Sequence, residues 1–392
     1  MKRTTLLIAT ILLGLVSFGQ NFEPQKIKSE DFSAVKAKVG GDFAIQLQSI
    51  DHEAPSTTLL DIKHNFNLPT ANLSITADLA PGIQLFMNDF LSSRHHNEAW
   101  VEGGYMTIDK MPFLPATDGI MEYLTIKAGV MAPNYGDAHY YRSNNAAVLN
   151  NPFVGNWIMD AYTTNPGIEF MFRDKGFMAM VGTNNGRMNY GRGNDIGKDL
   201  VFNWKLAYDT QINEDLRIRA SLSGYHVPDG HSGSTLWGGD RAGARYYDVM
   251  LASDAAAQST ANAQTGQWSP GSGQTKMSSY MANLFVKFHG LEVFGVYENM
   301  NGVKKAADQH FTQTALQAIY RVGSFYFGTR LNKVSDNDGS SVSRTNVGGG
   351  WNMTDAVLIK LDYVDQKYDG KAHGTIDGGK FNGLVLEAAI SF

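Results

Sequence analysis

Two alternations limit what this chain can fold into. Within segment after segment, apolar and polar residues take turns. In Ala71–Leu79, Leu73, Ile75, Ala77 and Leu79 oppose Asn72, Ser74, Thr76 and Asp78. In Leu216–Tyr225, Leu216, Ile218, Ala220 and Leu222 oppose Arg217, Arg219, Ser221 and Ser223. A period of two puts successive side chains on opposite faces of a β-strand whose two sides meet different media. The connections alternate as well. Asp174-Lys175, His289-Gly290 and Val322-Gly323 are short, whereas Ala132–Pro166, Asn184–Asp199, His226–Met277 and Asn299–His310 are longer and more polar. In the short set only Lys110–Met121 is long. A β-sandwich or β-helix gives no reason for this rhythm. A closed antiparallel up-and-down β-barrel does, with tight turns at one rim and long loops at the other, and the segments number about 16.

The last nine residues, Leu384 to Phe392, carry the pattern most plainly. Leu384, Leu386, Ala388, Ile390 and Phe392 share one face, and Glu387 and Ser391 lie on the other. At the opposite end, Met1-Lys2-Arg3 is a basic head. It leads into Leu6–Phe18, an apolar run broken only by Thr10, Gly14 and Ser17. That is the layout of a secretory signal peptide, assigned to residues 1–20. Residues 21–39 are polar and unpatterned and are expected to form a lead-in on the periplasmic side, with the barrel over 40–392. After the signal, no run of about 18 apolar residues suggests a membrane-spanning helix. Average hydropathy does not report a barrel, because only alternate strand residues meet lipid.

The chain has 33 Lys and Arg against 38 Asp and Glu. Without Lys2 and Arg3 there remain 31 basic residues and a formal charge of −7, which is not the electrostatic footprint of a nucleic-acid binder. The absence of cysteine excludes disulfides, thiolate metal sites and a cysteine nucleophile. Other chemical signals fail on context. Gly191-Arg192-Gly193-Asn194-Asp195-Ile196-Gly197 lies in a loop with no following helix, so it is not a dinucleotide fingerprint. Asp336-Asn337-Asp338-Gly339 lacks the later bidentate Glu of a Ca²⁺ loop. His226, Asp229 and His231 sit in a loop, and His95-His96 would point apart on a strand. Ser232 and Ser234 have no nucleophile-elbow context. No catalytic set emerges, so no enzyme activity and no cofactor are expected.

One connection stands out. The segment Leu124–Met131 ends in Gly129-Val130-Met131-Ala132-Pro133. It runs into Tyr135-Gly136-Asp137-Ala138-His139-Tyr140-Tyr141-Arg142 and on to Asn151-Pro152-Phe153-Val154-Gly155-Asn156-Trp157. With the terminal Phe392, this resembles the outer-membrane porin superfamily, and most of all the phosphate-selective porin O/P group of Bacteroidetes. The resemblance implies a 16-stranded barrel in the Gram-negative outer membrane, with residues 133–165 folded into the lumen as a constriction loop. It implies a homotrimer, a barrel-assembly machinery that reads the terminal aromatic, and small hydrophilic or anionic solutes as cargo. The chain departs from a closely spaced basic ladder here, since Arg142 is the only Lys or Arg between Ala132 and Pro166.

Alternation assigns the interior. Lys127, Arg173, Lys205, Arg217, Arg219, Lys287, Arg330 and Lys360 should face inward, as should Asp78, Glu102, Glu169, Asp362 and Glu387. A Lys or Arg facing lipid near the midplane costs about 2–4 kcal/mol. The pore-lining candidates are therefore Lys127, Lys205, Arg217, Arg219, Lys287, Arg330 and Lys360, joined by Tyr140, Tyr141 and Arg142 of the loop. Arg217 and Arg219 stand about 7 Å apart on one strand. Lys205 faces the same lumen from the next strand, and Asp209 is the nearest expected acid. The imbalance predicts an anion-attracting patch and mild anion preference in passive diffusion. Ion-paired lining with no preference is the plainer outcome. A surface binder or adhesin, or a substrate-specific channel, with the long outer loop 227–277 displayed on the barrel, is the alternative function. About 16 strands give a barrel too wide for strand side chains alone to fill, so an aqueous lumen is expected.

Overall fold

A computed structural model describes residues 20–91, 100–142, 148–188, 200–238, 246–253 and 264–392. The signal peptide (Gln20 apart), His95-His96 and Gly191–Gly197 lie outside the described residues. The first nine strands are β1 (Lys36–Glu53), β2 (Asn65–Ala80), β3 (Ile83–Leu91), β4 (Trp100–Ile108), β5 (Leu124–Met131), β6 (Asn165–Asp174), β7 (Phe177–Asn184), β8 (Val201–Gln211) and β9 (Leu216–Val227). The short pair β10 (Tyr246–Tyr247) and β11 (Gln264–Thr265) forms a separate two-stranded sheet. The chain continues through β12 (Gln274–Phe288), β13 (Leu291–Lys304), β14 (Ala307–Val322), β15 (Phe325–Asp336), β16 (Ser341–Thr354), β17 (Val357–Asp369) and β18 (Lys380–Ser391). Apart from β10 and β11, each strand pairs antiparallel with its neighbours in sequence. β9 pairs with β12, and β1 pairs with both β2 and β18, so the sixteen-stranded sheet closes.

The sequence alternation becomes an inside and an outside. On β18, Leu384 and Leu386 are exposed on the outer wall, while Val385, Glu387 and Ala389 are fully buried within. On β15, Phe325, Phe327 and Leu331 face out, and Tyr326 and Arg330 are buried. The outer wall is thus an apolar belt edged by aromatics. Phe177 and Tyr208 pair at the short-turn end (4.5 Å between ring centroids), as do the stacked Phe325 and Trp351 (6.0 Å). Trp204 and Tyr280 meet toward the other end (6.4 Å).

Closure depends on a small residue at the seam. Phe392 exchanges both backbone hydrogen bonds with Gly41, each 3.0 Å, and its ring lies over that glycine. A Cβ on Gly41 would come within 2.7 Å of the ring. Leaving out that one carbon lets the final aromatic lie across the first strand.

Several strands run further than alternation indicates. Asn299–His310 is a hairpin instead of a long loop, and β13 and β14 stay paired up to Lys304 and Ala307. Lys305 and Ala306 turn the chain with φ of 50° and 62°, the left-handed pair of a two-residue hairpin turn. Beyond the apolar belt both faces of a strand meet water, so the alternation stops while the backbone ladder continues.

Two expectations about space are corrected. The lead-in does not extend to residue 39, because β1 begins at Lys36. Nor does it stay outside: Phe22 is 6 % exposed and packed among interior side chains. The lumen is not open water either. Lys205, Glu298, Gln313, Lys360 and Glu387 all face inward with no solvent exposure. Strand side chains alone do not fill a barrel this wide. Three insertions do: the N-terminal segment, the β5–β6 connection, and the described parts of the β9–β12 connection.

Candidate functional site in the barrel interior

A loop that enters a barrel carries its backbone amides and carbonyls away from water, and each needs a partner. The inward residues of the strands supply them. Asn134 N–H donates to Glu169 (2.7 Å), Gly136 N–H to Ser223 (2.8 Å), and Asp137 N–H to Asn283 (2.8 Å). The chain then makes a single turn of 3₁₀ helix, Ala138–Tyr141. Further on, Val154 N–H donates to Asp362 (3.0 Å), Ile158 N–H to Asn332 (2.7 Å), and Met159 N–H to Gln313 (3.0 Å). Arg330 donates to the Gly155 carbonyl (3.0 Å), Arg344 to that of Asn156 (2.6 Å), and Lys360 to that of Asn151 (3.1 Å). The loop is pinned from β6, β9 and β12 at its start and from β14 to β17 further on. Gly136 lies at φ 69°, where a side chain is strained, and a Cβ there would fall 2.1 Å from the Met281 sulfur and push that side chain aside.

The described parts of the β9–β12 connection also fold inward. Tyr246 is buried and its hydroxyl donates to the Val154 carbonyl (2.6 Å). Tyr247 exchanges two hydrogen bonds with Gln48 of β1 (2.7 and 2.8 Å). Trp268 N–H donates to Ile158 (3.0 Å). This connection therefore packs on the β5–β6 loop and on the wall.

The basic group forms where alternation places it, but it is not short of acids. Arg217 makes a two-pronged contact with Asp209, 2.8 and 2.7 Å. Arg219 makes another with Asp137, 2.8 and 2.9 Å, and also reaches Glu23 at 2.8 Å. Lys205 lies 2.6 Å from Asp137 and 3.1 Å from Glu23. Three cations meet three carboxylates, which corrects the reading of Asp209 as their sole counter-ion. Asp137 arrives on the loop and Glu23 on the N-terminal segment, and neither belongs to a strand. Burial pushes the Glu23 carboxyl up, but the charges of Lys205 and Arg219 outweigh it and hold it at about 2. Burial likewise holds the His139 imidazole low, at about 3, so it stays neutral.

The remaining candidates divide by partner. Tyr140 lies under the Lys205 ammonium, 5.0 Å from its ring centre. Tyr141 turns away to pack on Phe294 and Trp157. Arg142 does not join the basic wall: it is buried within the loop, paired with Asp160 and stacked on Tyr162 at 4.0 Å. Lys127 faces inward over the Tyr105 ring (3.9 Å). Lys287 pairs with Glu292 (3.6 Å) near the short-turn rim, and Lys360 with Glu387 (2.5 Å). Arg330 is held by Gln317 and Asn151 and lies over Trp157 at 4.2 Å. Sequence reasoning missed Arg321 and Arg344, which continuing the alternation of Ile319 and Val342 would have found. It also missed Phe22, Glu23 and Asp137, for which no periodic signal exists. The His226, Asp229 and His231 group does not converge. His226 accepts from Trp204, Asp229 pairs with Lys276, and His231 lies against Asn185. Among the described residues, no group of three or more His, Cys, Asp or Glu could hold a metal ion.

No protein-family model matches the chain, and no curated protein does. Solved structures do match. An anion-selective porin from Comamonas acidovorans superposes with a TM-score of 0.56 over 92% of this chain and 100% of that one, at 11% identity. The chain has the porin fold. OprB of Pseudomonas putida gives a TM-score of 0.55 over 91% of this chain and 94% of its own, at 11% identity. The trimer form of the outer-membrane protein OmpT of Vibrio cholerae gives 0.53 over 92% and 100%, at 9% identity. At these identities the likeness to the porins is one of fold.

Proposed function

We propose that the protein is a porin of the Gram-negative outer membrane, a passive path for small hydrophilic solutes and ions. One observation carries this: a closed sheet whose outer wall is apolar and aromatic-edged encloses an interior where Lys, Arg, Asp, Glu, Asn and Gln of the strands surround a cluster of buried aromatic and apolar side chains. Hydrocarbon offers no partner to unpaired backbone groups, so a sheet bathed in it must close. A hydrated solute, by contrast, finds donors and acceptors only inside. Phe392, at the seam between β1 and β18, suits recognition by an assembly machinery, and a homotrimer accords with the fold the chain shares with OmpT of Vibrio cholerae, solved in a trimer form. Selectivity rests on Lys205, Arg217 and Arg219. With all three of their carboxylates in place the group is neutral, so anion preference is mild and grows if one is withdrawn. Phosphate selectivity would draw on this wall alone, because Arg142 is committed to Asp160. The filled interior favours, as a second reading, a substrate-specific channel that opens by moving its insertions.

Planar-bilayer recording of the purified, folded protein tests the proposal. Discrete current steps with a near-zero or slightly anionic reversal potential are expected. Changing Arg217 and Arg219 to Ser leaves Glu23, Asp137 and Asp209 facing Lys205 alone and should shift the reversal potential toward cations. A folded barrel that gives no steps would overturn the porin reading.

A further inference from the structure

The N-terminal segment does more than cross the mouth. Lys26 donates to the Leu124 carbonyl (3.0 Å), and Ile27 N–H to Asp109 (2.8 Å), at the short-turn rim. From there, Asn21, Phe22 and Glu23 rise along the inner wall. The Glu23 carboxylate lies between Arg219 and Lys205, 2.8 and 3.1 Å away. The Phe22 ring meets Phe285 and Tyr140 edge-on, at 5.3 and 5.7 Å between centroids, and the Arg219 guanidinium lies over it at 4.4 Å.

We propose that Asn21-Phe22-Glu23 is a tethered occupant of a solute-binding site, and that the vacated site takes small acids in which a carboxylate lies close to an aromatic ring. Four wall side chains make the site, and none comes from the segment: Lys205 from β8, Arg219 from β9, Phe285 from β12 and Tyr140 from the loop. The wall has pairings of its own that do not pass through the occupant: Asp137 binds both Arg219 and Lys205, and Asp209 binds Arg217. Once Glu23 leaves, three cations face two carboxylates and the wall carries a net positive charge. An incoming carboxylate then restores the pairing, so the exchange swaps one buried ion pair for another and leaves no charge bare.

A cleft of about 390 Å³ at the short-turn rim lies against the segment's flank, lined by Asn21, Arg217, Lys287 and His289 and by the acids Glu214 and Asp215. The segment is joined to the barrel through residues 24–35, which enter no β-ladder and are held at the rim by Lys26, Ile27 and the Pro24 carbonyl, which accepts from Arg173. A short tether keeps an occupant at high effective concentration. Solute binding to the intact protein is therefore weakened by the fraction of time the site stands empty.

This rests on the porin reading for its physiological meaning, but it can be tested apart from it. The full mature protein and the Phe22→Ala/Glu23→Gln variant are purified folded. Both are titrated calorimetrically in detergent with phenylacetate, with acetate and benzylammonium as controls. Phenylacetate should bind the variant about tenfold or more tighter than the wild type, as follows if the segment fills the site nine-tenths of the time. Acetate should bind it more weakly, and benzylammonium not at all. In bilayers, the variant should conduct several-fold more than the wild type and favour anions, and phenylacetate should block it. Equal phenylacetate affinity in the two proteins, or no preference over acetate, overturns the proposal. Silence of both proteins in bilayers would instead overturn the porin reading, with calorimetry still deciding the site.

Discussion

Lys360 and Glu387 show what a charge needs in this interior. Both are fully buried, 2.5 Å apart, and Lys360 also holds the Asn151 carbonyl of the inward loop. Removing one partner of a buried pair strands the other, at about 3–5 kcal/mol. Lys360→Met should therefore lower the urea unfolding midpoint strongly, and Lys360→Met/Glu387→Gln should recover much of the loss. If the double variant is no more stable than the single one, the pair is not the source of the effect. Glu23 gives the second test at this scale. Its carboxyl is held at about 2 against an ordinary 4.5, and it faces Lys205, Arg219, Asp137, His139 and Tyr140. A depressed carboxyl stabilises the docked segment fully above its free value and loses that contribution as pH falls through the docked one. Wild-type conductance should stay level from pH 8 to 5 and rise only in strong acid, while Glu23→Gln should show no such rise. A wild-type transition centred near 4.5 would mean that Glu23 is not paired.

Among the elements, β1 and β18 carry the closure. Their pairing runs from Asp42 and Ser391 to Glu53 and Lys380, and the Gly41–Phe392 contact extends it at the short-turn end. Gly41→Val forces the Phe392 ring off the seam. The folded, heat-modifiable fraction on an unheated SDS gel should fall, with Gly41→Ala milder than Val; undiminished assembly of the Val variant would show that the ring's seat is unimportant. The inward loop is an element of another kind. It has little regular structure of its own and takes its shape from side chains on strands it never joins.

For the molecule as a whole, the sheet makes a wide shell and the insertions decide how much of its interior is filled. The N-terminal segment is the smallest of the three insertions, and it sits on the cluster of Lys205, Arg217 and Arg219. A barrel can thus keep a wide wall and a narrow, controllable interior, because wall and filling are stabilised separately. Ladder hydrogen bonds hold the first, and pairs between strand side chains and loop backbone hold the second.

The sequence by itself determined the wall. Period-two alternation fixes which residues face outward, and the rhythm of connections fixes that the sheet closes. Each is a local property repeated from strand to strand, so Ile83–Leu91 could be read to the residue, and Lys127, Lys205, Arg217, Arg219, Arg330 and Lys360 could all be turned inward. Only the tertiary structure decided what those inward residues do. Glu23 and Asp137 lie nearly 200 and about 80 residues from Arg219 in the chain. They reach it on segments with no periodicity, brought there because buried cations need carboxylates and buried loop amides need acceptors. Such pairings depend on which groups meet across the lumen, and that is set by the closed shape of the barrel and not by the pattern of any one stretch.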